Sequence, residues 1–245
     1  LGKDKRLNLL CSSVRFGVES ALINLAATSQ KASVEEFMGA QKRNIDSAVL
    51  LQGNYDDVMA RASLAVSRGV KVYKLKVGDR NIPLDVKKVQ GLRELIGKEK
   101  LIRLDANRVW SLSEAVLFAQ LVGYAQIEFI EEPISDPSRL NEFFHDSRMP
   151  IALDETMAML RCGVSAPGRC SPTLAMNEGV VAYVLKPTVV GGVIATLQWI
   201  EEAKRLGKKA VISSCFETHV GLGMLKALAQ LTDEVAGLGI EQWLK

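Results

Sequence analysis

The strongest constraint on the fold is a repeat of strand-like and helix-like segments at intervals of roughly 30 residues, the length of a βαβ unit. Short runs rich in Val, Ile and Leu recur along the chain, and most precede a segment with apolar residues at helical spacing. Strands that alternate with helices form parallel sheets through right-handed crossovers, so the chain is expected to be an α/β protein. Strand candidates begin near residues 45, 72, 101, 127, 151, 181, 210 and 236.

Eight strands in this alternation predict a TIM-type barrel, written (β/α)7β because the last unit is degenerate. We expect the barrel to occupy residues 44–245. The structural alternative is an open, doubly wound sheet. No GxGxxG motif follows the first strand, so a dinucleotide-binding version of that sheet lacks its usual support.

Residues 1–43 precede the repeat and are expected to lie outside the barrel. Residues 12–27 have the spacing of an amphipathic helix, and residues 28–43 are polar enough to form a connection. The irregular stretch 157–176 is expected to be a surface insert, where a disulfide between Cys162 and Cys170 is disfavoured in a reducing compartment. The apolar positions of the predicted helix are Val14, Val18, Ala21, Leu22 and Leu25.

Composition excludes several classes of partner. A net charge of +3 is too small, and too evenly spread, to indicate a nucleic-acid or membrane-surface binder. The four cysteines form no CxxC pair, which argues against a zinc site and favours a reduced, cytoplasmic protein. No signal peptide is visible, but the chain starts with Leu1 rather than Met, so we expect a preceding segment. Both a monomer and a homo-oligomer are compatible with this composition.

The stretch VYKLKVG, residues 72–78, raises an electrostatic problem. Lys74 and Lys76 stand two residues apart in an apolar strand pattern, so both side chains project from the same face. Two ammonium groups on a buried face are unfavourable unless carboxylates or a ligand compensate their charge.

The ends of the other strands supply the compensating carboxylates. Asp105, Glu131 and Asp154 end three successive strands, and the carboxyl ends of barrel strands meet at one face. Three converging carboxylates call for a hard divalent cation, which predicts Mg²⁺, with Mn²⁺ as the alternative. The competing interpretations are a helix cap for Asp154 and a salt bridge from Glu131 to Arg103 or Arg108.

The lysines suggest the chemistry of this site. Neighbouring positive charges lower the pKa of a lysine, so one of the pair is suited to act as a general base. We predict that Lys76 contacts the substrate and that Lys74 tunes it, while Lys186, at the end of a later strand, faces the carboxylates from the opposite side. Proton abstraction beside a carboxylate, with a metal stabilising the enediolate, is the known pattern of a lysine base with Mg²⁺ in the enolase superfamily.

Six motifs stand at or near the ends of predicted strands. They are KLKVG at 74–78, RLDAN at 103–107, IEEP at 130–133, LDET at 153–156, VLKPTVVGG at 184–192 and ISSCFET at 212–218. This set resembles the enolase superfamily and its muconate-lactonising subgroup, over about residues 12–240. Within that subgroup the proline after Lys186, the double glycine and the ISS run are most similar to o-succinylbenzoate synthases of menaquinone or phylloquinone biosynthesis.

The resemblance implies a role for each matched residue. Asp105, Glu131 and Asp154 would bind Mg²⁺, with Asn107 and Glu132 supporting them. Lys76 would be the base in the syn dehydration of 2-succinyl-6-hydroxy-2,4-cyclohexadiene-1-carboxylate, and Lys186 would stabilise the enediolate. The residues that would hold the succinyl carboxylate of this small-molecule substrate are Ser213, Ser214 and Gly237.

The family also has an N-terminal α+β capping domain, of which residues 1–43, with helix 12–27, would be a remnant. Alternative activities are those of an N-succinylamino acid racemase, a dipeptide epimerase or a muconate cycloisomerase. The GLGIEQ run near the last strand lacks the acidic Asp-x-Asp motif of dipeptide epimerases. A Schiff-base aldolase that uses Lys186 or Lys76, and a non-catalytic barrel, are the more distant alternatives.

Overall fold

The structure, a computed structural model, describes residues 7–41, 43–79, 81–123, 126–160 and 177–239. Within these ranges strands alternate with helices along most of the chain. The strands are β1 (Ser47–Leu51), β2 (Val72–Lys76), β3 (Leu101–Asp105), β4 (Ile127–Glu131), β5 (Ile151–Leu153), β6 (Val180–Leu185), β7 (Lys209–Ile212) and β8 (Ala236–Gly239). The α-helices are α1 (Ser12–Ser29), α2 (Val34–Phe37), α3 (Tyr55–Ser67), α4 (Ile82–Ile96), α5 (Leu112–Val122), α6 (Leu140–Ser147), α7 (Glu155–Met159), α8 (Pro187–Val190), α9 (Gly192–Arg205) and α10 (His219–Ala229).

The strands form one eight-stranded sheet in the order β7-β6-β5-β4-β3-β2-β1-β8. The pairs from β1 to β5 are parallel, as the alternation with helices predicted. A parallel bridge between Ser213 and Gly237 joins the two end strands of that order. The ring of strands confirms the predicted (β/α)7β barrel over the open doubly wound sheet.

Contacts between residues divide the chain into two compact units. The first unit comprises the described residues of Leu1–Asp46, Met157–Pro172 and Tyr183–Lys245. The second unit comprises those of Ser47–Thr156 and Thr173–Ala182.

In the second unit, local signals set where the helices begin. Asn54 and Ser111 each accept a hydrogen bond from the amide three residues later, and a side chain at that position bonds back to the cap. Such capping boxes satisfy the free amides of the first helical turn. Apolar residues of β2, β3 and β4 other than Leu101 are buried, and Trp110 packs on Phe118 with 4.5 Å between ring centroids.

In the first unit, α1 packs against α8 and α9, and its buried face carries an ion pair. Arg15 Nε donates to Glu19 Oε1 at 2.7 Å, and both side chains are buried. Glu19 Oε2 also accepts the Ile194 amide of α9 at 3.0 Å. A Cβ on Gly192 would lie 2.5 Å from the same carboxylate oxygen, so glycine is required where α9 begins.

The helix predicted at residues 12–27 is confirmed, but the face that it buries differs from the apolar pattern. Val14, Val18, Leu22 and Leu25 are 36–67% exposed. The buried positions are Arg15, Phe16, Glu19, Ile23 and Ala27. The polar pair Arg15–Glu19 takes the core side because each group satisfies the other, which helical spacing alone does not reveal.

Two other predicted segments differ in detail. The connection at residues 28–43 contains α2, which Ser33 and Glu36 cap reciprocally. The predicted insert at 157–176 begins within α7, and residues 161–176, with Cys162 and Cys170, lie outside the described residues. In the part of the chain that the structure describes, no helix combines the length and apolar character needed to cross a membrane.

Candidate active site

Three carboxylates of the second unit converge at the carboxyl ends of neighbouring strands. Asp105 ends β3, Glu131 ends β4 and Asp154 follows β5, and Asp105 and Glu131 are register partners. One oxygen from each residue lies within 4.8 Å of the others. The residues are only 1–4% exposed, so their charges repel through a medium that screens them poorly.

Lys74 and Lys76 compensate part of this negative charge. Lys74 Nζ lies 2.6 Å from Glu131 Oε2 and 2.8 Å from Asp105 Oδ2. Lys76 Nζ lies 2.8 Å from the same Asp105 oxygen. Both side chains therefore project from one face of β2, as the sequence predicted. The Lys76 side chain is 33% exposed and that of Lys74 15%, so Lys76 is the more accessible of the two.

Burial and charge shift the ionisation of this cluster in opposite directions. Burial opposes the charged form of Lys74, but the negative charges of Glu131, Asp105 and Asp154 outweigh it and raise the pKa of Lys74. Burial raises the pKa of Glu131 to about 7, against the charge of Lys74, and the like charges of Asp105 and Asp154 add to the rise. The carboxylates, rather than the neighbouring lysine, dominate the environment of Lys74, contrary to the expectation from the lysine pair alone.

Asn107 connects the exposed lysine to the next loop. Its Oδ1 accepts a hydrogen bond from Lys76 Nζ, and its Nδ2 donates to Glu155 Oε1 at 2.8 Å. Its backbone has φ 44°, in the left-handed region that few residues other than glycine adopt. Asn107 therefore links the Lys76 amine to Glu155, and its supporting role stays a prediction.

Glu132 holds the end of β4 to the end of β5. Its Oε1 accepts the amides of Asp154 and Thr156 at 2.8 and 2.7 Å. Its Oε2 accepts Thr156 Oγ1 at 2.9 Å and Arg108 Nε at 2.7 Å. Arg108 Nη2 also donates to Thr156 Oγ1 at 2.6 Å. This arrangement, the Glu132 clamp (Arg108, Glu132 and Thr156), fixes the backbone that carries Asp154.

Sequence reasoning missed Arg108 and Thr156 as parts of the clamp. Arg108 was considered only as a partner of Glu131, and it pairs instead with Glu132, while Arg103 pairs with Glu128 at 2.7 Å. Asp154 directly precedes α7, but its carboxylate also belongs to the cluster of three. The sequence signal for Thr156 was its position, since it is a polar residue two positions after Asp154.

The remaining predicted residues belong to the first unit. Lys186 follows β6 and starts α8, where its carbonyl accepts the Val189 and Val190 amides at 2.7 and 2.9 Å. Ser213 Oγ points to the Gly237 carbonyl oxygen at 3.3 Å. Ser214 Oγ donates to Glu217 Oε2 at 2.6 Å, and sequence reasoning did not identify Glu217.

The carboxylate cluster fits a divalent metal ion. Its three groups are oxygen donors, they are buried, and they lie close enough together for one ion to contact all three. Burial is the largest cause of the raised pKa of Glu131, and the like charges of Asp105 and Asp154 add to it. A bound cation would oppose both effects.

Comparison with protein families places most of the chain in one of them. The model described as "Enolase C-terminal domain-like" matches residues 57–237. Two similar proteins are o-succinylbenzoate synthases: that of Proteus mirabilis is 36% identical over 95% of this chain and 67% of its own length, and that of Aliivibrio fischeri strain MJ11 is 36% identical over 89% and 61%. Protein PHYLLO, chloroplastic, of Arabidopsis thaliana is 34% identical over 86% of this chain. The chain spans 13% of the length of that protein and about six tenths of the Aliivibrio enzyme.

Solved structures share the fold. The L-Ala-D/L-Glu epimerase from Bacillus subtilis superposes with a TM-score of 0.79 and 21% identity, over 93% of this chain and 63% of that one. The muconate lactonizing enzyme from Pseudomonas putida superposes with a TM-score of 0.77 and 24% identity, over 92% and 62%. These likenesses show the fold, and the family model, which matches more than half of the chain, shows that the chain belongs to the enolase C-terminal domain-like family.

Proposed function

We propose that the protein is an Mg²⁺-dependent o-succinylbenzoate synthase, a carbon–oxygen lyase. It would remove water from 2-succinyl-6-hydroxy-2,4-cyclohexadiene-1-carboxylate in menaquinone or phylloquinone biosynthesis. The observation that carries the proposal is the buried cluster of Asp105, Glu131 and Asp154 with the accessible amine of Lys76 beside it. The names of the curated relatives support the choice of reaction.

Asp105, Glu131 and Asp154 would hold the metal ion. When bound, Mg²⁺ would supply Lewis-acid stabilisation of the negative charge that develops on the substrate carboxylate. The Glu132 clamp would keep the Asp154 carboxylate in place through the backbone, because it fixes the amides on both sides of Glu155.

Lys76 would transfer the proton in both halves of the reaction. Its neutral amine takes the proton beside the substrate carboxylate, and the electron pair of that C–H bond passes into the carboxylate to give an enediolate. That electron pair then forms the ring double bond as the C–O bond breaks. The resulting ammonium gives the proton to the departing hydroxyl, which leaves as water. One base on one face is sufficient because a syn elimination removes both groups from the same side. Asn107 and Asp105 hold the Lys76 amine in place.

Lys74 would remain positively charged throughout. The surrounding carboxylates keep its ammonium protonated, so it is unsuited to accept a proton. Its charge lies beside Glu131 and Asp105, where it favours the ionised form of both ligands. We propose this electrostatic role for Lys74.

Lys186 would stabilise negative charge on the ring by an electrostatic, cation–π contact rather than by proton transfer. Ser213, Ser214 and Gly237 would lie at the succinyl carboxylate. The hydroxyl of Ser214 already donates to Glu217, and that of Ser213 points to the Gly237 carbonyl. A carboxylate at this position therefore requires at least one of these hydroxyls to rotate.

We also propose that residues 1–43 belong to a capping unit over the barrel. The exposed apolar side of α1 supports this, because Val14, Val18, Leu22 and Leu25 gain little burial among the described residues. A cavity of about 710 Å³ lined by α1, α2 and the start of α10 offers additional surface for such a unit. A cytoplasmic location stays a prediction from the cysteine pattern.

The test is a spectrophotometric assay of the full-length protein with the cyclohexadiene substrate and Mg²⁺. We expect loss of substrate absorbance, formation of o-succinylbenzoate, and loss of activity when the ion is chelated. Absence of Mg²⁺-dependent turnover would refute the proposed function. Deuterium exchange into an N-succinylamino acid in heavy water, without dehydration of the cyclohexadiene, would identify a racemase instead.

A further inference from the structure

Glu217 is a buried carboxylate for which the proposed mechanism has no role. It lies in the loop between β7 and α10 and is 9% exposed. Its Oε1 accepts a hydrogen bond from Thr188 Oγ1 at 2.9 Å. Its Oε2 accepts from Ser214 Oγ at 2.6 Å and from the Cys215 amide at 2.7 Å. One carboxylate thus joins the segments that follow β6 and β7.

Each joined segment carries a residue of the proposed site. Thr188 lies two residues after Lys186, in α8, and the first turn of that helix closes on the Lys186 carbonyl. Ser214 is a proposed contact of the succinyl carboxylate. A displacement of α8 relative to the Ser214 loop would therefore change the spacing between the Lys186 ammonium and the carboxylate-binding serine.

The loop around Glu217 requires external support for its shape. Phe216 has φ +61°, a left-handed conformation that is strained for an aromatic residue. Its side chain is 67% exposed, so burial does not compensate the strain. The Phe216 amide donates to Ser214 Oγ at 3.2 Å, and Ser214 in turn donates to Glu217. The Glu217 carboxylate thus fixes the Ser214 hydroxyl and the Cys215 amide, the groups that flank the strained residue on its N-terminal side.

The surroundings leave the joined segments room to separate. Thr188 and Glu217 both line the cavity of about 710 Å³ between α1, α2 and α10. On the other side, a Cβ on Gly221 would lie 2.8 Å from Glu217 Cβ, so the helix approaches the carboxylate closely only because that residue is glycine. Among the described residues, open space adjoins both side chains on the cavity side, so the hydrogen bonds contribute to setting the spacing.

We propose that Glu217 is a positioning residue, which fixes the Lys186 segment against the Ser214 loop and so sets the geometry for the substrate carboxylate. This inference rests on the proposed dehydration. It assigns Glu217 no contact with the substrate, and Glu217 acts through Thr188 and Ser214.

The kinetic test uses full-length variants that change the hydrogen bond from Thr188 to Glu217, or all the hydrogen bonds of Glu217. Thr188→Val removes the bond to α8 and should lower kcat about tenfold with little change in KM, because Lys186 acts on developing charge. Thr188→Ser retains the hydroxyl and should restore wild-type kinetics. Glu217→Gln weakens both sides and should lower kcat and raise KM, each by about tenfold. If both Thr188→Val and Glu217→Gln keep the wild-type kcat and KM, the positioning role is refuted.

A second readout does not depend on turnover. Amide hydrogen exchange should be slow at Cys215 in the wild type and at least about tenfold faster in Glu217→Gln, because the amide loses its carboxylate acceptor. Unchanged exchange at Cys215 would overturn the proposal even if the enzyme is active. If the wild type shows no dehydration, the proposed function fails. Faster exchange at Cys215 in Glu217→Gln would then still support the hydrogen bonds of Glu217 on which this inference depends.

Discussion

Replacing Glu132 by glutamine tests whether the Glu132 clamp organises the metal site. The substitution preserves shape but removes the charge and one acceptor. Glu132 accepts four hydrogen bonds, two at each oxygen. A glutamine carbonyl can keep the two backbone amides of the β5 end, so its NH2 group must face Arg108 and Thr156. The Thr156 hydroxyl can rotate to accept, whereas Arg108 Nε loses its acceptor on residue 132.

The magnitude follows from these partners. A hydrogen bond to a charged group contributes about 1.5–3 kcal/mol, and a neutral one about 0.5–1.5 kcal/mol. One charge-assisted bond is lost and two amide bonds become neutral, while the 23% exposure of Arg108 screens part of its loss. The free energy of unfolding should fall by about 3 kcal/mol, which for a chain of this size lowers Tm by about 6–12 °C. Because the clamp holds the Asp154 backbone, Mg²⁺ affinity should fall about 10–100-fold.

Calorimetry measures both effects, the melting transition by scanning and the Mg²⁺ affinity by titration. The matched control is Glu142→Gln, the same chemical change in an ion pair with Arg139 whose side chains are 54% and 47% exposed. Solvent screens that exposed pair, so the control should melt close to the wild type. If Glu132→Gln melts with the control and binds Mg²⁺ like the wild type, the assignment of the clamp is wrong.

Three further predictions follow from the geometry. Because the pKa of Glu131 is raised to about 7, Mg²⁺ has to displace a proton from this carboxyl group at lower pH. The Mg²⁺ affinity measured by titration calorimetry should therefore fall about tenfold from pH 8 to pH 6. An affinity that does not change with pH would contradict this prediction. Glu19→Ala leaves the buried Arg15 and the Ile194 amide without their acceptor, so it should lower the free energy of unfolding in denaturant by about 3 kcal/mol. Leu25→Lys, on the exposed side of α1, should lower it little. Equal losses would contradict the observed packing. In the same assay, Gly78→Ala should lower the free energy of unfolding by about 1 kcal/mol more than Gly97→Ala. Both glycines have a positive φ, but of the two only Gly78 has a backbone oxygen 3.1 Å from the added Cβ. Equal losses would exclude that contact as the cause.

The strands were predictable because their signals are local. Each of the eight begins within two residues of its predicted start, since buried runs of β-branched residues bounded by Gly, Pro and capping residues depend on few distant contacts. The face of α1 was not predictable in this way. Arg15 and Glu19 are polar in sequence, and only their mutual contact and the distant Ile194 amide make their burial favourable.

The candidate metal site was likewise predictable only in part. Asp105, Glu131 and Asp154 could be identified because parallel strands bring their carboxyl ends together regardless of loop detail. The partners of Glu132 depend on a left-handed backbone at Glu132 and at Arg108, with φ 44° and 61°, and no pattern in the sequence indicates it. The charge state of Lys74 also depends on distances, because two carboxylates within 2.8 Å outweigh a neighbouring ammonium.

The measurement that tests the central claim most directly is turnover by full-length Lys76→Ala, with Mg²⁺ binding measured on the same sample. Lys76 contributes no carboxylate oxygen to the cluster, so the variant should fold and bind Mg²⁺ while dehydration of the cyclohexadiene is abolished. Lys98→Ala, a change at an exposed lysine, is the control and should retain full activity. Loss of turnover with Mg²⁺ binding intact is the predicted result. Dehydration by Lys76→Ala at the wild-type rate would contradict the assignment of Lys76 as the base.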